Sequence, residues 1–384
     1  MPECQGEVMI GAGKFDRNRI GAVDTARGLA VVGMIAAHTL AYGELTWSDP
    51  AHWTNIASGR SSILFAVLGG VSLALMTGRA HPSTGSDLVT ARLRVMVRAA
   101  LLFLIGGILQ ATGTTAAVIL EYYAVMFVLA VPFLAWRPRR LLITAAVWAV
   151  ITPVLVWCLV SVLPTSTLGT GGIVTLAISG SYPALIWVAF VLIGLAIGRS
   201  DFTAIRTRLL GWGFAAAVLG YGIAWVCTRV FGSGAPDLGD LDTKDVDPDT
   251  IPRPGFVSLL TAQPHSGTFF EILASGGLAV ALLGLLLSCP PVLMRILTPL
   301  TAIGYLPLTV YAAHVISLAF VDERADGNPS FFLWSVAVAA VGSLLWTRFL
   351  GRGPLERLVT WITRAAVRTR HPAPEPTPRP QPVA

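Results

Sequence analysis

Apolar runs alternate along this chain with short polar segments. Ten of the runs are long enough to be membrane spans: roughly 21–42, 61–78, 97–113, 116–135, 141–163, 182–198, 209–231, 268–288, 301–320 and 331–349. A transmembrane helix needs about 20 mostly apolar residues. The pattern therefore predicts an all-α polytopic membrane protein of about ten transmembrane helices, with a tight hairpin between the third and fourth. No fixed-period repeat, inverted repeat or broken helix is visible in the pattern. Outside the runs, residues 1–18 form a polar tail without the apolar core of a signal peptide. Near the other terminus, Leu355, Leu358, Val359, Ile362 and Ala366 share one helical face opposite Arg357, Arg364 and Arg368. That pattern predicts a basic amphipathic helix over 351–370 lying on the inner leaflet, drawn there by anionic lipids. The Pro-rich stretch 371–384 predicts a disordered tail.

Composition sharpens the class. Of the 384 residues, 54% are hydrophobic and only 12% are charged. About 25% is usual for a soluble domain, so one water-covered core is excluded. The charge that remains is asymmetric. With the N-terminus inside, 22 of the 27 Lys and Arg residues fall on the cytoplasmic side and 5 on the other. This split predicts an N-in, C-in topology with an even number of spans. Cations distributed in this way have no nucleic-acid partner to meet. The outer loop 232–266 is acidic, but Asp245, Asp247 and Asp249 fail as a calcium loop, because Thr250 stands where glycine is needed and Phe256 where a bidentate Glu is needed. The four scattered cysteines have no metal-site spacing, so no metal is expected.

Ionisable side chains inside a membrane are expensive, which makes each a candidate for function. Asp24, Arg27 and His38 share the first span. Arg27 and His38 are eleven residues apart, so they lie on one helix face about 16 Å apart along the axis. Asp24, one turn before Arg27, can pair with it. His52 and Arg60 fall in the first outer loop, Glu121 begins the fourth span, His265 and Glu271 flank the start of the eighth, and Tyr311 and His314 are one turn apart in the ninth. Histidines and carboxylates gathered at one level offer a supply of general bases near neutral pH. No P-loop, G-x-S-x-G, H-E-x-x-H or dinucleotide motif competes with this reading. The small-xxx-small step Gly194–Gly198 reads as helix packing.

The segment RIGAVDTARGLAVVGMIAAHTL (19–40) resembles the signature of the transmembrane acyltransferase superfamily. The Arg27-to-His38 spacing is similar to the Arg/His motif of acyltransferase family 3. The wording VDTARGLAVVGM, together with GRSSILFAVLGGVSLAL (59–75), resembles the bacterial relatives of heparan-alpha-glucosaminide N-acetyltransferase more closely. His52, Trp53 and Asn55 resemble that branch's outer-loop histidine context, and 264–287 and 306–317 resemble its C-terminal half. The heparan enzyme has an asparagine where this chain has His38, so His38 and His52 both stand as candidates.

The resemblance implies acyl transfer across the membrane, with acyl-CoA, expected to be acetyl-CoA, as cytoplasmic donor. The acceptor would be an envelope glycan or glycolipid outside. On that reading Arg27, supported by Asp24, and Arg92, Arg94 and Arg98 hold the CoA phosphates. His38 or His52 acts on the acceptor, Glu121 or Glu271 orients the imidazole, and His314 belongs to the same catalytic group. Arg60, His265 and Tyr311 bind the acceptor. Membrane lipids are partners, and a homodimer is left open. The alternative is a transporter or flippase of envelope precursors using the same intramembrane charges. A non-catalytic scaffold would leave Arg27 and His38 dispensable.

Overall fold

The structure, a computed structural model, describes residues 20–40, 50–114, 116–168, 172–232, 255–321 and 327–367. Among them the chain is helical: α1 (Gly21–Thr39), a 3₁₀ stretch Pro50–Ala57, α2 (Arg60–Met76), α3 (Gly85–Gln110), α4 (Ile119–Ala130), α5 (Pro138–Val162), the short α6 (Thr165–Leu168) and α7 (Gly172–Val174), α8 (Ala184–Gly198), α9 (Phe202–Phe231), α10 (Phe269–Ser288), α11 (Pro291–Ile296), α12 (Thr298–Tyr305), α13 (Pro307–Val321), α14 (Pro329–Phe349) and α15 (Pro354–Ala366). Helix starts follow local chemistry. Proline occupies the first turn of α5, α11, α12, α14 and α15, where its missing N–H costs nothing. Asp201, Thr268 and Asn328 cap α9, α10 and α14 through their side-chain oxygens.

Each of the ten apolar segments contains a helix. Five stretches are by themselves long and apolar enough to cross a membrane: Asn55–Met76, Pro138–Val162, Phe202–Phe231, Phe269–Ser288 and Pro329–Phe349. Counting each bent helix pair as one span raises this to seven. The chain is therefore a multi-pass, all-helical membrane protein among the described residues. Helices α2, α8 and α10 are mostly buried, whereas α5, α9 and α14 leave apolar faces exposed, with Trp212, Trp225 and Trp334 among them. Exposed apolar faces of that length belong against lipid.

One run expected to be a continuous span, 301–320, is broken, and a second bend precedes the run 182–198. The segment Gly172–Ser179 meets α8 at 60°, and α12 meets α13 at 86°. Pro307 supplies the break between α12 and α13, since it has no N–H to continue the helix and its ring clashes with the preceding turn. The amphipathic stripe of α15 is also narrower than expected. Leu355, Val359 and Ile362 turn toward the protein, while Leu358 and Ala366 are exposed. The expected N-terminal tail, most of the acidic loop and the Pro-rich tail lie outside the described residues.

Close helix contacts depend on glycine. A Cβ at Gly194 would fall 1.8 Å from the Val67 carbonyl oxygen, so α8 and α2 touch backbone to backbone. The packing role expected of Gly194 follows from that approach. Gly28 of α1 and Gly304 of α12 meet in the same way, and Thr25 and Thr301 share a hydroxyl hydrogen bond of 2.7 Å beside them.

Candidate functional site

The arginine-bearing helix ends gather at one end of the bundle. Arg27 there forms an ion pair of 2.5 Å with Asp24 and donates to the Ser72 hydroxyl of α2 at 2.9 Å. Asp24 is buried, and Arg27 is only 15% exposed at its side chain, so the pair is largely withdrawn from solvent. The i,i+3 spacing on α1 is what brings the two together. Tyr123 of α4 lies close enough to Arg27 to interact with its charge, and its buried hydroxyl has no hydrogen-bond partner among the described residues. Arg92 and Arg94 stand on the first turns of α3, and the buried Nε of each has no partner among the described residues. Arg98 is on the same helix.

A cavity of about 810 Å³ opens at this end, lined by His81, Arg137, Arg139, Arg140 and Arg199 with Ala80 and two prolines. Arg199 fixes its wall. The guanidinium donates to the carbonyls of Thr77 (3.0 Å), Arg79 (2.7 Å) and Leu134 and to the Thr77 hydroxyl (2.8 Å). It thus ties the ends of α2, α4 and α8 together. Burial pulls Arg199 down to about 10, which leaves it charged at neutral pH. These loop arginines carry the topology signal in the sequence. The Trp136–Arg140 cluster WRPRR was the one hint that they also line a cavity.

The opposite end holds His38, His265 and His314. His38, near the end of α1, meets His314 of α13 across a gap of 276 residues in sequence: Nδ1 of His38 and Nε2 of His314 are 3.2 Å apart. The rings are nearly parallel, at 5°, with centroids 5.4 Å apart. His314 is buried and its Nδ1 has no partner among the described residues, while His38 keeps part of its surface exposed. His265 lies within electrostatic reach of His38. Its Nδ1 pairs with the Ser181 carbonyl at 3.0 Å, and its ring stacks at 14° on Trp187 and edge-on to Tyr182. Tyr182 lies near Ser62 of α2 and meets Tyr122 edge-on. Tyr311, one turn below His314, is buried, and its hydroxyl accepts from the Ile119 N–H at 3.2 Å. Tyr182, Ser62 and Tyr123 went unmarked in the sequence, where polar residues in apolar spans were their only signal.

Glu271 is almost fully buried, and its carboxylate is engaged by backbone. Oε1 accepts from the His265 N–H and Oε2 from the Gly267 N–H, each at 2.7 Å. The Glu271 N–H in turn donates to the Thr268 hydroxyl at 3.0 Å. This is a variant of the capping box, whose spacing stands in the sequence as Thr268-Phe-Phe-Glu271. The carboxylate shapes the loop that presents His265, which has a positive φ of 62°, and the group bonded to the His38 imidazole is His314. Glu271→Ala leaves two backbone donors without their acceptor, at about 1–3 kcal/mol for each buried one. The expected result is a clear drop in the thermal unfolding midpoint in detergent, smaller in Glu271→Gln, which keeps one acceptor oxygen. An Ala variant that melts with wild type contradicts this role.

Glu121 packs elsewhere: a Cβ at Gly106 of α3 would lie 2.7 Å from its Cγ. Arg60 donates to the Tyr221 hydroxyl at 2.7 Å, and that hydroxyl pairs with Ser275 at 2.8 Å; Arg60 itself is close enough to Glu271 for their charges to interact. His52 lies on the 3₁₀ stretch, and its side chain is outside the described residues.

His38, His265, His314, Tyr311, Glu271 and Arg60 therefore stand at one end, and Asp24 and Arg27 at the other. Residues 19–225, more than half of the chain, match the family described as "Heparan-alpha-glucosaminide N-acetyltransferase, catalytic". The match takes in Asp24, Arg27, His38 and Arg60 and ends before His265, Glu271, Tyr311 and His314. No curated protein matches the chain.

Proposed function

The chain belongs to the heparan-alpha-glucosaminide N-acetyltransferase catalytic family, and from that premise we propose that it moves an acetyl group across a bacterial cytoplasmic membrane. The donor is acetyl-CoA on the arginine-rich side, and the acceptor is an amine or hydroxyl of an envelope sugar or glycolipid on the histidine side. Ten crossings with both termini inside fit this reading and the cation asymmetry. The observation that carries it is the arrangement on α1, with a paired arginine at one end and a histidine held by a second histidine at the other.

The chemistry follows from the hydrogen bond. If His38 Nδ1–H donates to His314 Nε2, His38 Nε2 carries the free lone pair. That nitrogen takes a proton from the acceptor amine or hydroxyl. The acceptor atom attacks the thioester carbonyl, the C–S bond breaks, and the CoA thiolate leaves. His314 holds the tautomer and steadies the imidazolium, the part played by the third member of a catalytic triad. Arg27, held by Asp24 and Ser72, places a guanidinium at the donor end, and the arginines of the Arg137–Arg140 cavity offer N–H groups for phosphates.

The test is purified protein given labelled acetyl-CoA with and without a glucosaminide acceptor. Wild type should bind acetyl-CoA and release CoA. Arg27→Gln should weaken acetyl-CoA binding about tenfold or more, the worth of one hydrogen bond to a charged group. No binding and no CoA release by wild type sinks the proposal.

The two bent helix pairs favour a second reading, a transporter of envelope precursors, because half-helix ends hold substrates in many transporters. The N-terminus of α13, however, is closed by the protein's own Glu356, whose Oε1 accepts from the Leu308 and Thr309 N–H groups at 2.8 and 3.0 Å. Acceptor-dependent CoA release separates the two readings.

A further inference from the structure

Helix α15 has two faces with different work to do. Its inner face packs on α13 and α3 through Leu355, Val359 and Ile362. Glu356 on that face reaches the break between α12 and α13. Besides the two backbone bonds, its Oε2 accepts from the Thr309 hydroxyl at 2.5 Å, and the Leu355 N–H donates to the same hydroxyl at 3.3 Å. The first N–H groups of any helix need an acceptor. Here another helix supplies it, at the foot of the helix that carries Tyr311 and His314.

The outer face carries Arg357, Leu358, Trp361 and Arg364, all exposed, with Leu358 at 45% and Trp361 at 67%. A cavity of about 310 Å³ lies there, lined by Arg352, Arg357, Thr360, Trp361, Arg364 and Ala365. Glu356 is the sole acid between Arg348 and Arg370, and it faces inward, so no carboxylate on this segment balances the cations. A soluble anion does not account for an exposed tryptophan and leucine beside the arginines. A lipid surface does, since it offers phosphodiesters to the guanidinium forks and an apolar interface to Trp361 and Leu358. The position agrees, because only four residues separate α15 from the end of α14, whose exposed apolar face is one that lipid covers.

We propose that the arginine-lined cavity on α15 is a binding site for the headgroup of an anionic phospholipid, and that its occupancy holds Glu356 on the N-terminus of α13. A membrane of the right charge thereby steadies the helix bearing His314. Neither statement depends on the transferase reading.

The test uses full-length protein in detergent, titrated with phosphatidylglycerol, phosphatidylcholine or glycerol 3-phosphate and followed by native mass spectrometry. The expected result is a preference for phosphatidylglycerol over phosphatidylcholine, lost roughly 30-fold in the double variant Arg357→Gln/Arg364→Gln, with no retention of glycerol 3-phosphate. A preference that persists in the double variant comes from lipid elsewhere on the bundle and overturns the site. Equal binding of glycerol 3-phosphate overturns the choice of lipid. Hydrogen exchange supplies the second arm. Phosphatidylglycerol should slow exchange at the Leu308 and Thr309 amides in wild type and leave Glu356→Ala and the double variant unaffected. Amides that exchange equally in both lipids overturn the coupling. The double variant changes two exposed side chains, and an unaltered melting midpoint in phosphatidylcholine verifies its fold.

Discussion

His38→Ala is expected to lower acetyl transfer by about 10²–10⁴-fold, the usual worth of a positioned general base, while acetyl-CoA binding stays close to that of wild type. The separation follows from geometry. Arg27 lies three helical turns from His38, about 16 Å along α1, and its partners Asp24 and Ser72 do not involve the histidine end. His314→Ala should produce a smaller loss, confined to kcat. Its Nε2 bonds His38 Nδ1 and its ring is buried, so it acts through His38. Two residues that act as one unit are strongly non-additive. The double variant should therefore be little slower than His38→Ala alone. The pH profile supplies the readout that a merely structural role would not move, since loss of His314 should displace its acidic limb. His52→Ala is the parallel experiment. If His38→Ala turns over like wild type and His52→Ala does not, the base is His52 and the His38–His314 pair is a packing contact.

The sequence carried the local half of this site and lost the distant half. Asp24, Arg27 and His38 share a helix, so the 3.6-residue period alone places them on one face and pairs the first two. The His38–His314 bond spans two helices far apart in sequence, and no periodicity says which helices are neighbours. Glu271 was legible as a candidate to orient an imidazole, and its capping duty was not. A carboxylate three residues after a threonine, at the head of an apolar run, has a structural duty as an N-terminal cap. Only its burial against two backbone N–H groups shows that the duty is filled. The bend between α12 and α13 had its signal in Pro307, which an apolar window averages away. The arginines of the Trp136–Arg140 turn were counted for topology one at a time. Their convergence on a cavity with Arg199 depends on the packing of α2, α4 and α8.

A large stability effect is also expected from the smallest change, Gly28→Ala. A Cβ there would lie 1.9 Å from the Leu300 carbonyl oxygen and 2.7 Å from its carbon, and a Cβ on the facing Gly304 would lie 1.7 Å from the Asp24 carbonyl oxygen. Real contacts of a Cβ are not shorter than 3.0 Å. The obstructing atoms are backbone on both sides, so no side chain can rotate away, and α1 must back off α12 by about an ångström. Overpacking of this kind costs about 1–3 kcal/mol, and here it also stretches the Thr25–Thr301 hydrogen bond and moves Arg27, the residue just before it. Gly222 in α9 is the internal control. A Cβ there meets nothing within 4 Å, so Gly222→Ala should gain the roughly 0.5–1 kcal/mol that alanine offers over glycine in a helix. Thermal unfolding of the two variants in one detergent should therefore move in opposite directions. If they melt together, the backbone approach of α1 and α12 is not as close as 1.9 Å implies. If Gly28→Ala melts low yet binds acetyl-CoA normally, the α1–α12 contact is structural alone, and the position of Arg27 does not depend on it.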